Sequence, residues 1–201
     1  MPRQTTAQPR RVLALLASTT LAVGGFTGAG AAAATPAFAD APASSERTAR
    51  FEVDFLTGMI DHHAMAVMMA QMCTEKAVHP ELASMCESIV ASQSAQIEQM
   101  QGWLQAWYGV SHEPQMSGMG AMHRLMVRDG EKFEVVFMRS MIRHHWSAVR
   151  EAGRCLDNAE HAELRGLCSE ISSAQLAEIQ QMQTWLREWY GLPGGRPVDA
   201  V

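Results

Sequence analysis

Two histidine pairs in this sequence each follow a methionine at helical spacing. Met59-x-x-His62-His63 is repeated as Met141-x-x-His144-His145. Imidazole nitrogen suits several transition metals, whereas the uncharged, polarisable thioether of methionine prefers soft ions such as Cu(I). The combination predicts a copper site, for Cu(I) first, with Cu(II) and Ag(I) as alternatives. The predicted metal ligands are Met59, His62, His63, Met65, Met69, Met100, Met141, His144, His145 and Met182.

The motif has the spacing of di-iron sites in helical proteins but a different ligand type. Those bundles place Glu-x-x-His motifs on facing helices, and their carboxylates hold hard ions. Here sulfur takes the carboxylate position, at Met59 and Met141. The alternative interpretation is structural, because a single methionine or histidine on an apolar helix face usually belongs to the core. Two adjacent buried imidazoles in both copies would need hydrogen-bond partners, which favours the metal interpretation.

The two copies differ in the residues that follow the histidines. Met65, Met68, Met69 and Met72 of the first copy correspond to Ser147, Arg150, Glu151 and Arg154 of the second. The fold therefore does not require methionine there, and the arginines disfavour a bound cation. We expect the first copy to bind Cu(I) more tightly. An apolar docking surface for a partner protein is the alternative, because methionine-rich faces also serve adaptable binding.

The motifs belong to an internal repeat, in which residues 51–109 align without a gap on residues 133–191. Roughly half of the aligned positions are identical. In each copy, apolar residues recur at steps of three and four, which predicts two amphipathic helices. His79-Pro80 and His161-Ala162 interrupt the pattern at the same point, where we expect a turn and the start of a helix.

The predicted fold class is all-α. Each hairpin is long and apolar on one side, so the two bury their apolar stripes best against each other, as an up-down-up-down four-helix bundle of duplicated αα-hairpins. Antiparallel register within a hairpin places Met100 opposite Met59, one turn from His62, and Met182 opposite Met141. Each hairpin is thus expected to gather two thioethers and two imidazoles.

Four cysteines support the hairpins independently. Cys73 and Cys86 are equidistant from the first predicted turn, and Cys155 and Cys168 from the second. Residues equidistant from a tight turn face each other across antiparallel helices. We therefore expect one disulfide in each hairpin, contributing about 3 kcal/mol on the chain-entropy model. Thiolate metal ligation is the alternative.

The connection between the copies, residues 110–132, is rich in methionine and histidine. Met116, Met119 and Met122 follow one another at intervals of three. Such a segment either binds Cu(I) as a flexible arm or folds as a short helix over the end of the bundle. The sequence leaves both possibilities open.

The amino terminus has the pattern of an export signal. Three arginines precede an apolar stretch, and Ala37-Phe38-Ala39 offers small residues for cleavage after Ala39. Residues 1–39 are predicted as a signal peptide, 40–50 as a flexible leader and 192–201 as a flexible tail. No later segment reaches the ~20 apolar residues of a membrane span. The ordinary secretory route is favoured over twin-arginine export, which Arg10-Arg11 also suggests.

The processed chain is acidic. Without the three arginines of residues 1–39, the net charge changes from −5 to −8. This charge argues against nucleic acid as a partner.

A family resemblance follows from the motifs. Met59-Ile60-x-His62-His63, His79-Pro80-Glu81-Leu82 and Gln93-x-x-Gln96-Ile97-x-x-Met100 resemble the CopM-like bacterial family of domain of unknown function 305, and the second copy fits through Gln175-x-x-Glu178-Ile179-x-x-Met182. The resemblance implies a ferritin-like bundle, export, and Cu(I) or Ag(I) binding by methionine and histidine in copper resistance. The chain departs from the family pattern in its four cysteines and in Trp146, Arg150 and Glu151.

Three classes of function follow. The favoured one is an exported soft-metal-binding protein for copper sequestration, resistance or delivery, whose partners are metal ions, a copper-handling protein or further copies of itself. The second is a structural or interaction bundle whose histidines bind no metal. The third is an enzyme or haem protein, but the sequence has no Cys-x-x-Cys-His attachment site and no nucleophile–base–acid set. We therefore expect no enzymatic activity.

Overall fold

Two long helical hairpins make up most of the computed structural model, which describes residues 41–115 and 119–194. The first hairpin consists of α1 (Glu46–Lys76) and α2 (Pro80–Tyr108). A short helix, α3 (Met119–Met126), lies in the connection, and α4 (Gly130–Asn158) and α5 (Ala162–Tyr190) form the second hairpin. The predicted all-α bundle of duplicated hairpins is confirmed.

The helix ends follow local sequence signals. The Ser45 side chain accepts the backbone N–H of Thr48 at 3.1 Å and so caps α1. His79 and His161 are the N-terminal cap residues of α2 and α5, in the turns where the sequence places them. Gly109 ends α2 with a φ of 64°, a left-handed conformation that favours glycine.

One disulfide closes each hairpin near its turn. Cys73 bonds to Cys86 with Cα atoms 6.0 Å apart, and Cys155 bonds to Cys168 with Cα atoms 6.3 Å apart. Both predicted pairings are confirmed. Because all four cysteines are oxidised, thiolate metal ligation is excluded for this state of the protein.

The two hairpins meet along α1 and α4, which run antiparallel. Near the end of α1, the Lys76 ammonium lies 3.0 Å from the carboxylate of Asp129, just before α4. Near the start of α1, Glu52 accepts the backbone N–H of His161, just beyond α4. His62 and the backbone carbonyl of His144 meet between these points. The repeats are therefore related by a pseudo-two-fold axis. Because α4 runs opposite to α1, the helix directions are up-down-down-up, which corrects the predicted up-down-up-down order.

A layer of polar side chains divides the buried core into two halves. We call it the central polar layer, and it consists of His62, His63, Gln93, Gln96, His144, His145, Gln175 and Glu178. On one side lies a methionine-rich half whose buried methionines are Met65, Met69, Met122, Met138, Met141 and Met182. The buried methionines of the opposite half are Met59 and Met100.

A buried carboxylate of α1 clasps the turn of the second hairpin. Glu52 accepts the hydroxyl of Tyr108 at 2.5 Å, the backbone N–H groups of Glu160 and His161 at 2.6 and 3.1 Å, and His161 Nδ1 at 2.5 Å. Burial alone would raise the pKa of Glu52, but these hydrogen bonds outweigh it and hold that pKa below its usual value. The anionic carboxylate thus joins both hairpins.

The equivalent carboxylate of α4 clasps the turn of the first hairpin in return. Glu134 accepts the backbone N–H groups of Val78 and His79 at 2.7 and 2.8 Å, His79 Nδ1 at 2.7 Å and the Tyr190 hydroxyl. Its pKa is also lowered: burial raises it, but the hydrogen bonds from His79, Tyr190 and Val78 dominate. Two reciprocal clasps therefore fix the crossing of the hairpins and, with it, the central polar layer.

The segment before α1 differs from the flexible leader predicted for residues 40–50. Residues 46–50 form the first turn of α1. Ahead of them, the carbonyl of Ala41 accepts His161 Nε2 at 2.8 Å, and Ser44 donates to Glu160 at 2.6 Å. The Ser45 cap and contacts with the far hairpin order a segment whose composition suggests a loop. The leader prediction is corrected accordingly for residues 41–50.

The connection between the hairpins contains a short helix, so the second of its two predicted forms is the one observed. Met122 and Leu125 of α3 are buried in the methionine-rich half. Before α3, Asp61 accepts His112 Nε2 and the backbone N–H of Gln115, each at 2.7 Å. The connection is thereby tied to α1, and α3 covers the methionine-rich half.

Three predicted segments lie partly or wholly outside the described residues. They are the signal peptide with its cleavage site, Met116 of the connection, and residues 195–201 of the predicted tail. The tail residues that the structure describes lie against the bundle, with Gly194 beside the backbone of Gln183. In the described part of the chain, no helix combines the length and apolar character needed to cross a membrane.

Candidate metal centre

The outer histidines of the two pairs meet at the contact between α1 and α4. The ring centroids of His62 and His144 are 3.6 Å apart. His62 Nε2 lies 3.1 Å from the backbone carbonyl of His144 and 2.7 Å from Ser147 Oγ. Since the Ser147 hydroxyl donates to the same carbonyl, its oxygen is free to accept, and this network places the His62 proton on Nε2.

The inner histidines, His63 and His145, are fully buried and contact the second helix of their own hairpin. His63 Nε2 lies 2.8 Å from Gln96 Oε1. His145 Nε2 lies 2.6 Å from Glu178 Oε2, but the direction of this contact is not that of a hydrogen bond, so both atoms are without a hydrogen-bond partner. An acceptor oxygen beside each Nε2 places the ring proton there. Each inner ring therefore keeps its lone pair on Nδ1.

The Nδ1 atoms of all four histidines are buried without a hydrogen-bond partner. The amide oxygens of Gln93 and Gln175, at equivalent positions of the two repeats, share this property. Buried polar atoms without a partner are unusual and require a specific explanation. The Nδ1 atoms of His62, His63 and His145, which carry the lone pairs assigned above, and the two amide oxygens are therefore electron-pair donors available to a cation.

Burial keeps three of these imidazoles neutral. The pKa is lowered to about 4 for His62, about 3 for His63 and about 2 for His144. Desolvation of the charged form is the main cause, and neighbouring histidines add to it. A neutral imidazole is the form that binds a metal, so these side chains need no further deprotonation near neutral pH.

The predicted methionine ligands lie on both sides of the central polar layer. Met59 and Met100 pack together in one core half, as antiparallel register predicts. Met141 and Met182 also pack together, but in the methionine-rich half with Met65 and Met69 of the first hairpin. The antiparallel contact of α1 with α4 places these methionines of the two hairpins in the same core half. The methionine flank of the first copy therefore adjoins the thioethers of the second.

One side of the centre is open to solvent. A cleft of about 160 Å³ is lined by Met59 and His62 together with Asp54 and Glu151. At the equivalent place in the other repeat, Met69 occupies the position of Glu151, and it is buried. The cleft therefore offers an acidic approach to Met59 and His62, and the other side is covered by apolar side chains.

The donor chemistry of the layer fits a soft ion better than a hard one. In residues 41–115 and 119–194, no three side chains of the His, Cys, Asp and Glu types converge to hold a metal ion. A metal here would therefore need thioether sulfur or amide oxygen among its ligands. Methionine sulfur is the abundant donor nearby, and it favours Cu(I)-like ions.

Comparison with known proteins identifies the family. The family model of the domain of unknown function DUF305 matches residues 52–186, which is most of the helical region. The chain belongs to the DUF305 family. No curated protein matches it.

Solved structures of similar proteins agree with the fold. CopM in its Cu(I)-bound form is 34% identical, with a TM-score of 0.64 over 70% of this chain and 98% of CopM. A DUF305 fragment from Deinococcus radiodurans is 30% identical, with a TM-score of 0.61 over 68% of this chain and 95% of the fragment. A DUF305 protein from Streptomyces coelicolor is 26% identical, with a TM-score of 0.65 over 74% of this chain and 97% of that protein.

Sequence patterns missed several polar members of this DUF305 centre. The sequence motifs give Gln93, Gln96, Gln175 and Glu178 only as members of the family pattern, and Ser147 only as the counterpart of Met65. Ser147 is half-buried against His62, whereas Arg150, Glu151 and Arg154 are exposed. The available signal was the amide or carboxylate at matching positions of both apolar stripes, which indicates a buried polar layer.

Proposed function

We propose that this DUF305 chain binds soft monovalent metal ions, Cu(I) or Ag(I), with methionine and histidine side chains at the centre of its bundle. The single observation that carries the proposal is the set of four buried histidine Nδ1 atoms without hydrogen-bond partners, bordered by buried thioethers. The predicted ligands are His62, His63, His144 and His145, with Met59 and Met100 on one side and Met65, Met69, Met141 and Met182 on the other.

The comparison with CopM supports this proposal. CopM has been solved in Cu(I)-bound, Cu(II)-bound and Ag-bound forms. The two chains share the bundle over nearly all of CopM. We extend the ability to bind copper and silver from CopM to this chain, for copper sequestration, resistance or delivery.

The proposed setting is outside the cytoplasm. Two disulfides persist best in an oxidising compartment, which supports the export predicted from residues 1–39. We also propose that the protein binds metal without catalysing a reaction. An oxidase assay with Cu(II) would test the second point, and measurable turnover would contradict it.

Competition titration tests the function directly. The chelator-treated chain is titrated with Ag(I), and with Cu(I) under anaerobic conditions, against a chelator of known affinity. A variant with glutamine at His62, His63, His144 and His145 should lose at least tenfold in affinity, or about 1.4 kcal/mol. The matched control is His123→Gln with Met126→Leu, because both residues are exposed on α3. It should bind as tightly as the wild type.

A structural role for the polar layer is the second candidate function. It is favoured by the absence of three converging His, Cys, Asp or Glu side chains in the described ranges, and by the close contact of the His62 and His144 rings. In that case the bundle is an interaction module whose histidines specify the crossing of the hairpins. No binding of Ag(I) or Cu(I) by the wild type would select this function.

A further inference from the structure

One glycine of α1 faces the cleft at the candidate centre. The cleft of about 160 Å³ is lined by Asp54, Phe55, Gly58, Met59, His62 and Glu151. In the described part of the chain, a Cβ atom on Gly58 would have no packed neighbour within 4 Å, and the φ of this glycine is not positive. Neither a turn nor close packing therefore requires glycine here, although glycine inside a helix costs about 1 kcal/mol relative to alanine.

The second repeat has larger side chains at the corresponding positions. Ser140 of α4 corresponds to Gly58, and Met69 of α1 corresponds to Glu151. Ser140 is 7% exposed and Met69 is 2% exposed, whereas Gly58 and Glu151 are both exposed. Buried side chains therefore cover the pseudo-two-fold counterpart of the cleft. The two sides of the central polar layer differ in their access from solvent.

Two of the residues that line the cleft are acidic, and both are exposed. Glu151 shares its charge with Arg154, whose guanidinium lies 3.1 Å away, but among the described residues no ion pair involves Asp54. Exposed carboxylates beside a cleft raise the local concentration of cations and the association rate, an effect that falls with ionic strength. The cleft thus combines open space and attraction for cations with two proposed ligands, Met59 and His62.

We propose that this cleft is the path by which metal ions enter and leave the candidate centre, that Gly58 keeps the path open and that Asp54 attracts cations to it. This inference rests on the proposed metal-binding function and adds the route. An obstruction that lies on the path without displacing a ligand raises the barriers to binding and to release equally. It therefore slows both steps and leaves their ratio, the Kd, unchanged.

Glycines and acids elsewhere in the bundle supply matched controls. Gly58→Leu places a side chain in the cleft and should fold, because leucine favours a helix more than glycine does. Gly102→Leu is its control, since Gly102 is also exposed inside a helix and has no packed neighbour within 4 Å among the described residues. Asp54→Asn removes the charge, and Glu170→Gln does the same at an exposed position of α5. Circular dichroism checks the fold of each variant.

The measurement is the rate of Ag(I) exchange between the full chain and a fluorescent chelator, in both directions, in chloride-free nitrate buffer. Gly58→Leu should slow association and dissociation about tenfold each and change Kd less than about threefold. Asp54→Asn should slow association about threefold at low ionic strength, and added sodium nitrate should remove this difference, because salt screens exposed charges. Gly102→Leu and Glu170→Gln should leave the rate constants unchanged.

Methionine oxidation in the metal-free chain provides a second readout. Hydrogen peroxide should reach Met59 through the cleft and oxidise it several-fold faster than Met141, which is fully buried at the equivalent position. Gly58→Leu should remove this difference, and Gly102→Leu should preserve it. Peptide mass spectrometry after a short exposure to peroxide measures both sites.

The outcomes separate this inference from the function on which it rests. A wild type that binds no Ag(I) overturns both. If the wild type binds Ag(I) but Gly58→Leu exchanges the ion as fast as Gly102→Leu does, the entry path is wrong and the metal-binding function stands. Faster dissociation with unchanged association would show that position 58 acts on the ligands, which also overturns the inference. Equal slowing by Asp54→Asn and Glu170→Gln would overturn the role of Asp54.

Discussion

The imidazole rings of His62 and His144 lie 3.6 Å apart, centroid to centroid, across the contact between α1 and α4. The two residues occupy equivalent positions in the repeats, so the pseudo-two-fold axis passes close to their contact. Because His62 Nε2 also bonds to the His144 carbonyl, the candidate centre belongs to both hairpins. The proposed ligands should consequently behave as one coupled group.

The first prediction concerns this coupling. His62→Ala, His144→Ala and the double variant should give non-additive changes in the free energy of unfolding, with an interaction energy of about 0.5–3 kcal/mol. Urea denaturation of the metal-free, disulfide-intact chain measures it. His62→Ala combined with His123→Ala is the control, because His123 is exposed. A fully additive His62–His144 cycle would contradict the contact.

The second prediction concerns the tightest soft-metal site. The sequence alone favours the first hairpin, but packing places Met65 and Met69 with Met141 and Met182. Replacing Met141 and Met182 by leucine should therefore weaken Ag(I) binding about tenfold more than the same change at Met59 and Met100. Chelator competition compares the two variants.

The design of that comparison keeps packing effects matched. Leucine is close to methionine in volume, so stability should fall by less than about 1.5 kcal/mol in each variant. All four positions are buried, and the two pairs occupy equivalent places in the repeats. A larger loss of Ag(I) affinity from the leucine variant at Met59 and Met100 would show that the tightest site lies in the first hairpin.

The third prediction concerns the reciprocal clasps at Glu52 and Glu134. Each carboxylate has a pKa below its usual value of 4.5, so its stabilisation is fully present above that pH and is lost as the pH falls through the lowered pKa. Urea midpoints should drop steeply below about pH 4.5. The double variant Glu52→Gln/Glu134→Gln should be less stable at pH 7 and should show a shallower acid dependence.

The loss of stability expected when a clasp carboxylate is removed can be given a range. Removing one member of a buried, hydrogen-bonded charged group costs about 3–5 kcal/mol. Glu46→Gln serves as the control, because the carboxylate of Glu46 is 85% exposed and pairs with the exposed Arg50. That change should cost less than about 1 kcal/mol. Equal losses of unfolding free energy from glutamine at Glu46 and at Glu52 would contradict the stabilisation that we assign to the clasps.

The fourth prediction concerns the disulfides and the metal-free fold. Replacing Cys73 and Cys86 by alanine should lower stability by about 3 kcal/mol, and replacing Cys155 and Cys168 should have a similar effect, because both pairs are separated by 13 positions. The chelator-treated wild type should keep a strongly helical circular dichroism spectrum. A largely unfolded metal-free chain would show instead that metal drives folding.

The sequence by itself determined the hairpins, their turns and the disulfide pairing. Those features depend on local signals: helical periodicity, the interruption before His79 and His161, and the position of each cysteine relative to its turn. Antiparallel register within one hairpin follows from the same local geometry, and it agrees with the placement of Met59 and Met100 in one core half and of Met141 and Met182 in the other.

Only the tertiary structure decided how the two hairpins cross. The antiparallel contact of α1 with α4 is a long-range relationship that no spacing within a repeat encodes. It brings His62 against His144, moves Met65 and Met69 to the thioethers of the other repeat, and gives Glu52 the turn at His161 as its partner. Burial, which leaves the imidazole Nδ1 atoms unpartnered, likewise arises only when both hairpins pack. The sequence therefore supplies the donor types, and the packing of the repeats decides which of them meet.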